Sequence, residues 1–237
     1  MLIAIIDKSA KVSTADAALM TAACNTQLGL HACPAWNRAP SSVQFFQDET
    51  KVPASAWIIA LFDNADQSGA LGWHTETPAG RPYGRVFVKP VLEAGGTMLT
   101  GELSVSAVLS HEVLELVVDP YVNLWATAAD GSDYAIEVCD PVESDSYMIK
   151  LGDKRVSVSN FVLPDWFNAT PAKGAKFDYM SKLSSPFAMT TGGYVVYKHS
   201  GATHDRFGAA YPAWKRPGKN HSAARSARRK SRDTVAP

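Results

Sequence analysis

The chain has 237 residues, enough for one large domain or two small ones, and its 46% hydrophobic and 19% charged residues are those of an ordinary globular protein. Its formal charge of zero is unevenly spread. Eight Lys/Arg and one acid lie from Lys215 onward, which leaves 15 basic and 22 acidic residues in 1–214, a net charge of about −7. An acidic body argues against a nucleic-acid reader, and only the basic end suits such a partner.

In chain order, the apolar run 2–6 is too short for a signal-peptide core and lacks a basic flank, so it is expected to be a buried strand. Thr14 to about Leu28 is Ala-rich and reads as a helix capped by Ser13 or Thr14; the proline-bearing stretch 31–40 reads as a loop. Two strands are expected over 43–47 and 56–62, the second apolar enough to be central. A polar turn over 63–70 leads to strands at 71–75 and 83–89, joined by the turn-rich segment 77–82. Gly95-Gly96 breaks the chain before the clearest helix, about Ser104 to Val118, which Pro120 stops.

A loop with Trp125 follows, then a strand over 134–138 and a hairpin of 147–151 with 155–158 around Gly152-Asp153. The segment 163–187 is aromatic and irregular, and Gly192-Gly193 is a turn before a short strand, 194–198. No stretch approaches the roughly 20 apolar residues that span a bilayer, so no membrane partner is expected. Three cysteines without Cys-x-x-Cys spacing (Cys24, Cys33, Cys139) read as free thiols in a reducing compartment, with a Cys24–Cys33 bridge as the alternative. The organisation expected is one α+β domain over 1–214, with a mixed sheet, and a disordered basic tail over 215–237.

The chemistry is concentrated on the helix 104–118. On a wheel of about 100° per residue, His111, Glu112, Glu115 and Asp119 share one arc, and Leu109, Val113, Leu114, Leu116, Val117 and Val118 fill the rest. Such a helix is expected to be mostly buried, and buried carboxylates without partners are costly. A divalent metal neutralises several at once. Residues i and i+4 have Cβ atoms about 6 Å apart, so His111 and Glu115 are placed to grip one ion. Glu112 is offset towards a bound water, the logic of His-Glu-x-x-His metallopeptidases. Further acids follow at Glu137, Asp140, Glu143 and Asp145. A loop returning over the helix would supply the third ligand from Asp140 or Glu137, with Asp119 as another candidate. The competing explanation is a solvated acidic helix face. His74 reads more readily as a satisfied strand residue than as a ligand, and Cys139 as a small buried side chain.

The string Ser110-His-Glu-Val-Leu-Glu-Leu-Val-Val-Asp-Pro120, then Trp125, then Glu137-Val-Cys-Asp140 resembles a module of phage and bacterial proteins and of plant phosphate-induced (EXORDIUM-like) proteins. The segment 159–167 also looks like the phage proteins. More broadly, the order of elements is similar to the zincin fold, in which strands and an edge strand precede the active-site helix. The resemblance implies a cleft between the region 72–88 and the helix, with peptide bound by strand addition. Glu115 stands where zincins carry a second histidine, which makes zinc a weaker Lewis acid and also admits Mn²⁺, Mg²⁺ or Ca²⁺.

The function expected is that of a zincin-like, zinc-dependent peptidase. Its metal ligands are His111, Glu115 and Asp140 or Glu137, Glu112 is the catalytic base, and a peptide or protein is the substrate. The alternative is a non-catalytic phage structural or tail-associated protein that uses the same site as a clip among virion proteins. The setting expected is cytoplasmic or virion-associated.

Overall fold

The structure is a computed structural model that describes residues 1–215. Apolar, β-branched runs build its first sheet: β1 (Leu2–Asp7), β2 (Ser42–Phe46), β3 (Trp57–Phe62), β4 (Gly72–Glu76) and β5 (Pro82–Phe87), in the order β2-β1-β3-β5-β4. The first four neighbours in that order run parallel, and β4 alone runs antiparallel, at the edge beside β5. Parallel neighbours need a crossover. Between β1 and β2 this is α1 (Thr14–Gln27), whose N-cap Ser13 accepts from the Asp16 N–H.

The expected loop over 31–40 begins later than the sequence suggests. The helix runs on through a π turn (Leu28–Ala32) into α2 (Cys33–Ala35), because Pro34 falls at the start of α2, where its missing N–H costs nothing. Likewise the strand expected to reach Lys89 ends at Phe87, and Val88–Glu93 forms α3, which buries Val88 and Val91.

Helix α4 (Val105–Val118) begins at N-cap Ser104, whose hydroxyl accepts from the Ala107 N–H. Every residue except Val108 and His111 is buried. The helix packs on β4, β5, α1 and the later strand β9. Leu109, Val113 and Leu116 join Ile3, Ile5, Ile59, Leu61 and Val86 of the sheet and Met20 of α1 in the main core. Each such side chain contributes about 1.5–3 kcal/mol by leaving water.

Beyond α4, β6 (Trp125–Thr127) pairs with β7 (Asp133–Ala135). The hairpin β8 (Ser146–Leu151) and β9 (Lys154–Ser159) forms as expected. β10 (Tyr194–His199) and β11 (Ala202–Phe207) complete a second sheet, β11-β10-β7-β6. The strand expected over 134–138 is cut short: after Ala135 the chain leaves that sheet, and the departure carries Glu137 and Asp140 towards α4.

All three cysteines are free and buried. Among the described residues no helix is long and apolar enough to cross a membrane. The basic tail lies outside the described residues apart from Lys215, which is buried.

Candidate metal centre

A cavity of about 260 Å³ opens between α4, the edge strand β4 and the segment 137–144. Each wall follows from local structure. Helical spacing puts His111 and Glu115 on one face of α4, and strand alternation puts Gly72 and His74 on one face of β4. The segment after β7 is pinned by backbone bonds: the Ile136 N–H donates to the Leu124 carbonyl (3.1 Å), and the Cys139 N–H donates to Glu115 Oε1 (3.1 Å).

Two sets of donors meet here, each with its atoms within 4.8 Å of one another: His111, Glu115 and Asp140, and His74, Glu115 and Glu137. In the first, His111 Nε2 lies 3.2 Å from Glu115 Oε2 and 3.3 Å from Asp140 Oδ1. Charge-assisted hydrogen bonds are usually about 2.7–2.9 Å. Two donors each about 2.1 Å from a tetrahedral ion lie about 3.4 Å apart, which is the spacing found. Asp140 Oδ1 is buried and has no hydrogen bond among the described residues. The donor set therefore fits a divalent metal.

All four expected ligands line this cavity, but they divide between the two sets, with Glu115 common to both. Glu112 lines it as well, only 4% exposed, with Oε1 pressed against β4. A Cβ at position 72 would come within 2.5 Å of that oxygen, so Gly72 makes room for Glu112. Asp119 belongs to neither set. Its carboxylate accepts the N–H groups of Asn123 (3.1 Å) and Leu124 (3.0 Å) and ties down the turn after α4. Cys139 is outside both sets too, and burial pushes its thiol well above the ordinary range, away from a thiolate ligand.

His74, read from the sequence as a satisfied strand residue in preference to a ligand, lines the same cavity. It is 4% exposed, with Nδ1 3.6 Å from both Glu112 Oε2 and Glu115 Oε2, and Nε2 3.1 Å from the Asp119 carbonyl. The available signal was the Gly72-x-His74 alternation in an edge strand facing an acidic helix. Lys215, assigned to the tail, instead donates to Glu143 Oε1 (3.2 Å) at the cavity wall.

Without a metal, protons compensate the acids. Burial pushes the Glu115 carboxyl up to about 8, against His111 and reinforced by Asp140 and Glu137. Burial pulls the His74 imidazole down, but Glu137, Glu112 and Glu115 outweigh it and hold it at about 9. His111 rises well above its ordinary value: Glu115, Cys139 and Asp140 overcome its burial. Strongly perturbed groups gathered in a cleft make it a candidate functional site.

No family model matches the chain, and neither a curated protein nor a solved structure matches it at a significant level.

Proposed function

We propose that the protein is a zincin-like, metal-dependent peptidase with its metal on His111, Glu115 and Asp140. The observation that carries this is a set of three donors, Glu115 and Asp140 buried and His111 partly so, that faces a cavity with room for a reactant. A structural clip would be closed by protein ligands, and Asp119, the further carboxylate that could close it, is occupied by backbone N–H groups. The antiparallel edge strand β4, with no strand on its outer side among the described residues, supports the zincin-like reading. Such an edge accepts an extended peptide by strand addition.

Bound by His111, Glu115 and Asp140, a divalent ion would supply Lewis acidity and a water nucleophile at neutral pH. Glu112, buried in the same cavity, takes the proton from the attacking water and passes it to the leaving amine. Gly72 fixes where that carboxylate stands.

Two measurements test the reading. Purified protein should carry divalent metal that His111→Ala and Glu115→Ala lose; metal content unchanged in both variants ends the proposal. On a broad peptide library at neutral pH, Glu112→Gln should keep the metal and lose about 10²–10⁴-fold in turnover, the usual worth of a general base. Equal cleavage by variant and wild type removes Glu112 from the mechanism. A metal-loaded protein in which Glu112→Gln alters only metal affinity supports the clip among virion proteins.

A further inference from the structure

We infer that the centre is dinuclear: a second divalent cation binds His74, Glu115 and Glu137, and the Glu115 carboxylate bridges the two ions. This rests on the metal reading above only through Glu115.

Three observations carry it. First, the two histidines never fall in one donor set among the described residues; only Glu115 belongs to both. One ion therefore does not gather them. Second, the hydrogen-bonding state of His74 is forced. The Asp119 carbonyl, 3.1 Å from Nε2, can only accept, so Nε2 carries a hydrogen. Nδ1 faces Glu112 Oε2 and Glu115 Oε2, each 3.6 Å away, and Glu137 Oε2 lies 3.9 Å from Nε2. These gaps are longer than hydrogen bonds and leave space for a cation among the donors. An imidazole that donates its far N–H to a backbone carbonyl is the usual posture of a metal-bound histidine. Glu112 Oε2 adds to this: its residue is 4% exposed, and it has no hydrogen bond among the described residues while facing Nδ1.

Third, the donors outnumber what one ion takes. Glu112, Glu115, Glu137 and Asp140 line the same cavity as His74 and His111, whereas a tetrahedral ion binds at most four protein groups. The imidazole nitrogens favour zinc or manganese over calcium, which prefers an all-oxygen cage. A bridged pair can hold both the attacking and the leaving oxygens of a displacement.

The test is metal stoichiometry. The full chain is stripped with chelator, reloaded with Zn²⁺ alone, freed of excess by gel filtration and analysed for zinc per protein. Wild type should carry two equivalents, and His74→Ala and Glu137→Gln one each. Glu115→Gln should fall below one, because it belongs to both sets. Glu137→Gln keeps side-chain shape, and circular dichroism of each variant separates lost binding from lost fold. Mn²⁺-loaded wild type should give the broadened electron paramagnetic resonance spectrum of a coupled pair, and His74→Ala the spectrum of an isolated ion.

One equivalent in wild type, lost in His111→Ala but kept in His74→Ala, overturns the second site and leaves the peptidase reading standing. No zinc in wild type overturns both. Two equivalents that survive His74→Ala and Glu137→Gln place the second ion elsewhere and reject this assignment.

Discussion

Two regions of this molecule bury carboxylates, and they do so in opposite ways. Asp178 is fully buried, and its oxygens accept from the Asn160 amide (2.8 Å) and from the N–H groups of Met180 (3.1 Å) and Leu183 (2.8 Å). Neutral donors, two from its own loop and one from the residue after β9, satisfy it. At the cavity beside α4, Glu112 and Asp140 are buried almost as deeply, yet each has an oxygen with no hydrogen bond among the described residues and faces a histidine across 3.3–3.6 Å. The first arrangement is finished as it stands; the second is left to be completed by protons or by a bound cation. Burial of an acid is therefore no sign of a site in itself. What matters is whether the chain has supplied the donors.

The largest expected effect comes from breaking the satisfied region. Asp178→Ala leaves three buried donors without an acceptor and should cost about 3–5 kcal/mol, given roughly 1.5–3 kcal/mol for each hydrogen bond to a charged group and incomplete additivity. Denaturant unfolding measures it. Zinc content of the folded fraction should not change; if it falls with stability, the two regions are not independent.

Next comes pH, which sharpens the contrast from the other side. Glu115 at about 8 and His74 at about 9 both bind protons more tightly in the folded state than their ordinary values of 4.5 and 6.5. Their stabilising contribution is complete below the ordinary values and is lost as pH rises through the folded ones. Chelated protein should thus lose several degrees of Tm between about pH 5 and 9. Zinc should reverse the trend, because its ligands must shed their protons, so the zinc-induced rise in Tm grows with pH. A chelated protein whose Tm is flat over that range would show that these acids are not held by protons.

A smaller effect is expected at Gly72. The Cβ of Gly72→Ala meets Glu112 Oε1, and overpacking of this kind costs about 1–3 kcal/mol. Turnover should fall more than zinc content, since Glu112 moves while His111 and Asp140 do not. The smallest effect is at the rim, where Lys215→Ala removes one ion pair with Glu143 and should cost about 1 kcal/mol, read as a small fall in Tm.

Much of this arrangement was legible in the sequence. Ser104 and Pro120 bracket α4, continuous apolar runs mark β1 and β3, the Gly152-Asp153 turn marks the β8–β9 hairpin, and the i, i+4 pair of His111 and Glu115 lies on the face that meets the acids. Asp119 misled for a definite reason. The helix ends at Val118 and residue 119 is its non-helical cap (φ −130°, ψ 71°), so a helical wheel extended to that position does not describe it. The division of Glu137 and Asp140 between two donor sets was not legible, because it depends on β7 ending at Ala135. His74 escaped for a similar reason: its partners lie some forty to sixty residues away, and only the packing of β4 on α4 brings them together. A strand such as β6 carries too few residues for alternation to show, and β11 is too polar; their pairing is what makes them strands.

The position of Lys215 has a practical consequence for anyone preparing this protein. Its backbone and that of Trp214 pass over Gly69 beside the cavity, so a tag fused directly after Lys215 would set out from the rim of the acidic centre. A polyhistidine tag there would be held at a high local concentration next to His111 and Asp140, as a rival chelator and a source of foreign ligands. Metal counted in such a preparation would report the tag as much as the protein. Met1 is 51% exposed and, by the strand registers, sits at the opposite end of the parallel sheet from Gly72. A tag placed before Met1 leaves the centre to its own ligands.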